Sequence, residues 1–328
     1  MPYFGYVVKA NSENKFSGAY EEINKPEIQD KEVLIKTHYS SLNYKDALAA
    51  TGVKGVVKEY PFIPGIDVAG EVMESNSEYF AVGDLVLATG YKLGMSINGG
   101  FGQLVALPSN WIVKLPDGLS LLSAMEIGTA GLTAAASVKK LLDNEISLDK
   151  PVLVSGVTGG VGSIAVKLLQ HLDIEVHGIS GKSSDDEIIK SLNLTKLISR
   201  SEFMDEPTKP LNKALYAGAI DTVGGEMLAK MISKIELEGS VSCCGNVGGM
   251  NFTSSVFPFI LRGISLFGID SAESKIELKK ELWERLATDW KLDLSKNSRV
   301  ISIEKIDEYI VKILDGSHSG RTVIKHGE

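Results

Sequence analysis

Four glycines, Gly156, Gly159, Gly160 and Gly162, stand between a short apolar run, Val152 to Val154, and apolar residues at helical spacing, Ile164, Ala165, Leu168 and Leu169. The run lacks alternation, as in a parallel strand covered on both faces, and the spacing after it is that of a helix. A strand that turns through glycine into a helix aims backbone N–H groups and the positive end of the helix dipole at one point, which is what a pyrophosphate needs. The chemistry expected of Thr158, Gly159, Gly160, Val161 and Gly162 is therefore dinucleotide binding. Gly156 would make the tight turn, Gly159 or Gly160 would let phosphates approach the backbone, and Gly162 would seat the helix on the sheet. The spacing is G-x-x-G-G-x-G rather than the strict G-x-G-x-x-G fingerprint, so a glycine-rich turn without a ligand is the alternative on this segment alone.

An NAD site carries an Asp or Glu about 20 residues after its first glycine, to hold the ribose hydroxyls. This chain has Ser180, Gly181 and Lys182 there. A hydroxyl and an ammonium can hold the 2′-phosphate of NADP, which a carboxylate would repel. Arg200 offers either a second cation or a guanidinium plane against adenine. NADPH is the expected cofactor, and the alternative is that Lys182 and Arg200 are solvated loop cations. Asp185 and Asp186 fall where the next helix begins and suit its N-cap and first turn.

The elements that must hold these residues alternate. Glu175 to Ser180, Thr195 to Arg200, Tyr216 to Thr222, Ser240 to Gly245 and Ser265 to Asp270 read as strands, and Asp185 to Leu192, Gly225 to Ile235 and Phe257 to Gly263 as helices. With the first strand they predict an α/β fold, an open doubly wound parallel sheet of the Rossmann type with right-handed crossovers and its ligand at the carboxyl ends of the strands. Earlier segments, Glu32 to Tyr39, Val68 to Met73 and Leu85 to Thr89, are short, β-rich and separated by glycine turns, which predicts a compact β-rich domain. Helices over Ile276 to Trp290 and Ile306 to Leu314 and a strand over Thr322 to Lys325 follow the nucleotide domain. The expected organisation is a β-rich catalytic domain over 1–123, a nucleotide domain over 124–268 and a return to the catalytic domain over 269–328, with ligands in the cleft between them.

Composition narrows the class. The chain has 328 residues, 44% hydrophobic and 23% charged, with a net charge of −8. Those proportions suit a globular protein of about two domains, and the charge disfavours a nucleic-acid-binding surface. With neither a membrane span nor an export signal evident, a cytoplasmic protein is expected. Cys243 and Cys244 are neighbours on an expected buried strand and read as packing residues rather than a disulfide or redox pair. The five histidines, at 38, 171, 177, 318 and 326, lack ligand spacing, and no cysteine occurs in the first 242 residues, so no metal is expected.

Several blocks in order carry a family resemblance: SSLNYKDALAATG from Ser40, YPFIPGIDVAGEV from Tyr60, VGDLV from Val82, GTAGLTAAASV from Gly128, VTGGVGSIAV from Val157, DTVGG from Asp221, PFILRGISLFGIDS from Pro258 and GRTVIK from Gly320. Over nearly its whole length the chain resembles a zinc-independent medium-chain dehydrogenase/reductase of the quinone oxidoreductase type, and most of all the quinone oxidoreductase and acryloyl-CoA reductase subgroup. The resemblance implies a GroES-like β domain, a Rossmann domain, NADPH and commonly a homodimer. The chain shows SGK at Ser180 where the subgroup more often has SGR. In zinc-dependent relatives a Cys and a His-Glu pair occupy the regions that here read Asn43-Tyr44 and Gly65-Ile66-Asp67; Asp67 reads as a structural hydrogen-bond acceptor, the alternative being that it alone touches a cation.

Without a metal, the substrate oxygen needs hydrogen-bond donors. Tyr44 and Asn43 are the catalytic candidates, because the resemblance places Asn-Tyr-Lys-Asp against the nicotinamide, where the tyrosine either donates to a developing enolate or positions the ring. The alternative is a packed tyrosine with a satisfied hydroxyl. Lys45 and Asp46 either pair with each other or face water, and Arg262 either contacts an anion or caps a helix. The expected function is NADPH-dependent reduction of an activated C=C bond in a small molecule such as an enoyl thioester, with acryloyl-CoA implied by the family. The alternatives are quinone reduction and an inactive NADPH-binding regulatory protein.

Overall fold

The computed structural model describes residues 2–327 apart from Asn14 and Thr208. The chain forms two compact units, one of Met1–Thr129, Ala272–Thr288 and Leu294–Glu328, the other of Ala130–Ser271 and Asp289–Asp293.

The first unit opens with β1 (Tyr3–Ala10), β2 (Phe16–Ile23), β3 (Glu32–Ser41), α1 (Tyr44–Ala50), β4 (Asp67–Ser75), β5 (Leu85–Thr89), β6 (Leu104–Pro108) and β7 (Val113–Lys114). The chain leaves it within α2 (Leu121–Asp143). The second unit holds β8 (Val152–Ser155), α3 (Gly160–His171), β9 (Val176–Ser180), α4 (Glu187–Ser191), β10 (Lys196–Ser199), α5 (Arg200–Asp205), β11 (Tyr216–Asp221), α6 (Gly225–Ser233), β12 (Ile235–Cys243), α7 (Phe257–Arg262) and β13 (Ser265–Gly268). Then α8 (Ile276–Ala287), β14 (Ser298–Ser302), α9 (Ile306–Leu314) and β15 (Arg321–Lys325) complete the first unit.

In the second unit six strands pair in the order β10-β9-β8-β11-β12-β13. Every pairing is parallel. The order runs one way from β8 to β10 and the other from β11 to β13, so β8 and β11 flank the switch point where ligands of such sheets bind. Leu153, Ile179, Ala219 and Val241 from the strands pack against Met227, Leu228, Met231 and Ile232 of α6. The helix expected to reach Ile235 stops at Ser233, because Ile235 already begins β12, which is longer than the expected strand. A register shift between Tyr216 and Gly218 lets β11 follow it.

The first unit is built on a sheet ordered β14-β15-β3-β4-β5-β7, with β6 also on β3. Val33, Ile35, Val68, Val72, Val86, Val105 and Leu107 bury one core. A second core packs Ala47 and Ala50 of α1 and Ile306 and Ile310 of α9 on Tyr6, Val8, Phe101 and Ile324.

Helices α1, α2 and α5 were not among the expected elements. In α2 the run of small residues, Ala130, Ala134, Ala135 and Ala136, gives little periodic contrast. By length and composition α2 is apolar enough to cross a membrane, contrary to the expectation that no segment is, yet most of it is buried inside the protein.

Candidate nucleotide site and catalytic residues

The glycine turn follows β8. Gly156 has φ 60°, and a Cβ there would lie 2.5 Å from the Thr222 hydroxyl oxygen, so the position needs glycine on two counts. A Cβ at Gly162 would lie 2.3 Å from the Gly156 carbonyl oxygen. Gly162 thus seats α3 on the turn itself. Gly159 caps the helix without a side chain. Ser163 is the first residue whose N–H reaches back to the turn, at 2.9 Å from the Gly159 oxygen. Among the described residues the N–H groups of Gly160, Val161 and Gly162 have no hydrogen-bond partner. Thr158 and Val161 are half-buried beside them.

The turn is braced from β11 by residues the sequence reading did not single out, although the DTVGG block contains them. Asp221 is buried and accepts from the Ser155 hydroxyl (2.8 Å), Val223 N–H (3.2 Å) and Gly224 N–H (2.8 Å). Burial raises its pKa against the pull of those hydrogen bonds. Thr222 donates its N–H to the Ser155 hydroxyl oxygen and its hydroxyl to the Ser155 carbonyl, both at 2.9 Å. Cys243 and Cys244 are free and half-buried, and the Cys244 thiol donates to the Asp221 carbonyl at 3.4 Å. Burial pushes the Cys244 thiol up to about 12.

At the next strand ends, parallel pairing sets Ser180 of β9 opposite Ser199 of β10. Arg200, expected as the end of a strand, is the first residue of α5. Its guanidinium lies on Gly181, where a Cβ would be 2.9 Å from Nη2 and 3.0 Å from Cζ. Ser180 is buried, and its hydroxyl accepts the Lys182 N–H at 2.9 Å. The acids nearby belong to α4: Asp186 is its N-cap, accepting from Ile188 N–H at 3.1 Å, and Asp185 lies 3.9 Å from Lys190. The end of β9 therefore carries a hydroxyl, a glycine and a guanidinium, a set that fits a phosphate on the ribose. Arg262 does not cap its own helix, α7; it donates to the carbonyls of Ser233 at the end of α6 (3.0 Å), Ile235 in β12 (2.7 Å) and Asn212 (2.5 Å) and so ties these elements together.

In the first unit, Asn43 is the N-cap of α1 and Tyr44 its first residue. Tyr44 is 42% exposed, and its hydroxyl has no hydrogen-bond partner among the described residues. Asn43 is different. Its amide donates to Asp67 Oδ2 (2.8 Å), the Ser41 carbonyl (3.2 Å) and Asp46 Oδ2 (3.3 Å), and its oxygen accepts from Arg321 Nη1 (3.0 Å). Both faces of the amide are used, so Asn43, expected as a substrate donor, has none to offer. Asp46 neither pairs with Lys45 nor faces water: it is fully buried and accepts from the N–H groups of Asn43 (2.8 Å) and Ile66 (2.9 Å). Burial and the nearby Asp67 raise its carboxyl to about 7. Asp67 also accepts from Ser41 Oγ (2.5 Å) and from the N–H (2.9 Å) and hydroxyl (2.5 Å) of Thr129. Among the described residues no group of three or more His, Cys, Asp or Glu side chains is placed to hold a metal ion.

A doubly wound parallel sheet with an open N–H cluster at its switch point is the architecture of a nucleotide-binding domain, here in a chain that also carries a separate β-sheet unit. Residues 29–117 match the alcohol dehydrogenase GroES-like domain and residues 160–288 the zinc-binding dehydrogenase domain. The chain is 44% identical to the "Putative quinone oxidoreductase YhfP" of Bacillus subtilis (strain 168), over 89% of this chain and 90% of that one. It is 36% identical to the acrylyl-CoA reductase AcuI of Ruegeria pomeroyi, over 97% of each chain. The crystal structure of the Salmonella enterica yhdH oxidoreductase in complex with NADP superposes with a TM-score of 0.93 at 37% identity, covering 98% of this chain and 99% of that one. That of B. subtilis yhfP with NAD bound gives 0.95 at 40%, covering 99% and 100%. The chain belongs to the medium-chain dehydrogenase/reductase family.

Proposed function

We propose that this chain is an NADPH-dependent reductase of an activated C=C bond, acting on an enoyl thioester of the acryloyl-CoA type. The observation that carries the choice of NADPH is the Arg200 guanidinium lying on Gly181 at a strand end that has no carboxylate for the ribose. Relatives named acrylyl-CoA reductase over nearly the full chain and a neighbour crystallised with NADP support it. The N–H groups of Gly160, Val161 and Gly162 hold the pyrophosphate, with Thr158 and Gly159 lining its approach. Ser180, Gly181, Lys182 and Arg200 hold the 2′-phosphate. When bound, the nicotinamide supplies the hydride. As hydride reaches the β-carbon, the π electrons move onto the thioester oxygen. Tyr44 donates its hydroxyl to that oxygen, and solvent then protonates the α-carbon. Asn43 acts by holding Tyr44 rather than by touching substrate.

Quinone reduction is the second reading, because the relative at 44% identity carries that name. NADPH oxidation followed with acryloyl-CoA and with a simple quinone separates the two, and tight NADPH binding without turnover of either supports an inactive binding protein. In Tyr44→Phe, loss of one preorganised oxyanion donor should lower kcat by about 10²–10³. Weaker NADPH binding at normal kcat would instead make Tyr44 a cofactor ligand.

We further propose that the protein is a cytoplasmic homodimer, with small molecules and neither nucleic acid nor membrane as partners. Two free thiols are consistent with a reducing compartment. The dimer is supported by β13, an edge strand of its sheet, and by exposed apolar side chains in the segment between β12 and β13. There Val247, Met250, Val256, Ile260 and Leu261 are 58–85% exposed. Two copies related by a two-fold axis would pair their β13 strands antiparallel and cover both surfaces.

A further inference from the structure

Tyr44 projects from the first turn of a seven-residue helix, 42% exposed and with no partner for its hydroxyl among the described residues, so the position of its backbone matters directly for where that hydroxyl sits. The residues before it meet a buried carboxylate and a buried guanidinium that form a long ion pair: Arg321 Nη2 stands 3.9 Å from Asp67 Oδ2, and their side chains are 3% and 0% exposed. The space between the two charges is bridged by Ser41 and Asn43. The Ser41 hydroxyl donates to Asp67 Oδ2 at 2.5 Å and accepts from Arg321 Nη2 at 2.8 Å. The Asn43 amide donates to Asp67 at 2.8 Å and accepts from Arg321 at 3.0 Å.

We propose that Asp67 and Arg321 are positioning residues for the reaction: together they clamp the amide of Asn43 from both ends and so fix the backbone from which Tyr44 acts. The inference rests on the reading of Tyr44 as the oxyanion donor. A buried pair that served stability alone would gain most from direct contact, since its attraction must offset the desolvation of two charges. Here the pair is long, and both groups spend direct hydrogen bonds on Ser41 and Asn43. The guanidinium spends its other hydrogen bonds on the same segment and its neighbour, donating to the carbonyls of Leu42 (3.4 Å) and Glu126 (3.1 Å). Asp67 meanwhile takes both the N–H and the hydroxyl of Thr129. Gly128 makes room for this: its φ is 52°, and a Cβ there would fall 2.6 Å from Asp67 Oδ2, 2.6 Å from Ser41 Oγ and 2.7 Å from Arg321 Nη2. A side chain whose hydroxyl has no hydrogen bond of its own gains precision from a rigid base.

The test is a double-mutant cycle between Arg321→Lys and Tyr44→Phe, read as kcat, KM and NADPH dissociation constant. Arg321→Lys keeps the charge and removes the planar fork. Misplacing a reacting group by about 1 Å costs up to about 10²-fold, so kcat should fall by about 10- to 100-fold, with NADPH affinity unchanged. In the Tyr44→Phe background the same substitution should cost less than about threefold, because the group it positions is gone. Losses that multiply in the double variant overturn the clamp while leaving Tyr44 as donor. If Tyr44→Phe alone leaves kcat unchanged, the donor reading fails and takes the clamp with it. Ser41→Ala carries the same cycle should Arg321→Lys prevent folding, since it removes the bridging hydroxyl and leaves both charges in place.

Discussion

Replacing Gly162 by alanine puts a methyl group where the structure leaves no space. The new Cβ would stand 2.3 Å from the Gly156 carbonyl oxygen and 2.8 Å from its carbon, both backbone atoms of the turn, so no side chain can swing aside. Reaching an ordinary carbon–oxygen contact requires the start of α3 to back away from the turn by about 1 Å, and overpacking of this kind costs about 1–3 kcal/mol of stability. The same movement spoils the convergence of the N–H groups at 160–162. A hydrogen bond to a charged group is worth about 1.5–3 kcal/mol, so losing one of the set weakens NADPH binding by about 10- to 100-fold. Gly159→Ala is the control. Its φ is −79°, and the nearest atom to a Cβ there is the Gly156 oxygen at 3.4 Å, so the fold tolerates it, but the methyl stands where the phosphates approach. Fluorescence titration with NADPH and thermal melting together read the result. Gly162→Ala should lose both affinity and melting temperature, and Gly159→Ala affinity alone. A Gly162→Ala protein with wild-type values for both would refute the turn geometry, and unaltered affinity in Gly159→Ala would refute the placement of the phosphates.

Three further outcomes follow from single sites. Arg200→Ala should reduce kcat/KM for NADPH by about tenfold or more, the worth of one charge-assisted contact, and leave that for NADH unchanged; equal losses with both cofactors would show that Arg200 does not read the 2′-phosphate. His326 is buried with Nε2 on the Gly100 carbonyl at 2.8 Å, and burial lowers its pKa to about 4. The unfolded chain binds that proton near pH 6.5 and the folded chain does not, so stability is fully present above pH 6.5 and is lost as pH falls toward 4, by up to about 3 kcal/mol. His326→Gln should flatten that slope in urea melts, and an unchanged slope would remove His326 as its source. Ile260→Glu, at a side chain of α7 that is 68% exposed, should convert the proposed dimer to a monomer in sedimentation without lowering the melting temperature of the isolated fold; a dimer that survives it is built on another face.

The doubly wound sheet was legible because its signals are local. A glycine turn between an unalternating apolar run and a helical pattern can be read within twenty residues, and so can the absence of a carboxylate after β9. The identities of Ser180, Lys182 and Arg200 are chemistry that needs no coordinates. The terminal helix over Ile306–Leu314 was expected at the observed bounds, since its apolar positions recur at full contrast. Helix α2 escaped for the opposite reason: small residues pack on every side and leave no stripe to detect.

What the tertiary structure decided is how residues far apart in the chain share one another's polar groups. The sequence makes Arg200 available, but parallel pairing of β9 with β10 is what lays its guanidinium on Gly181. Asn43 looks like a donor in its own segment, and only the arrival of Asp67 and of Arg321, 278 positions later, shows that its amide is already spent. Asp46 likewise passes for a surface acid until Ile66 N–H closes over it. Arg262, left between two roles by the sequence, does not cap its own helix and instead braces three other segments once the carbonyls of Asn212, Ser233 and Ile235 converge on it. Periodicity and turn chemistry act between near neighbours and are written in order along the chain, whereas burial and hydrogen-bond satisfaction depend on which distant groups meet, and that is settled only when the chain has folded.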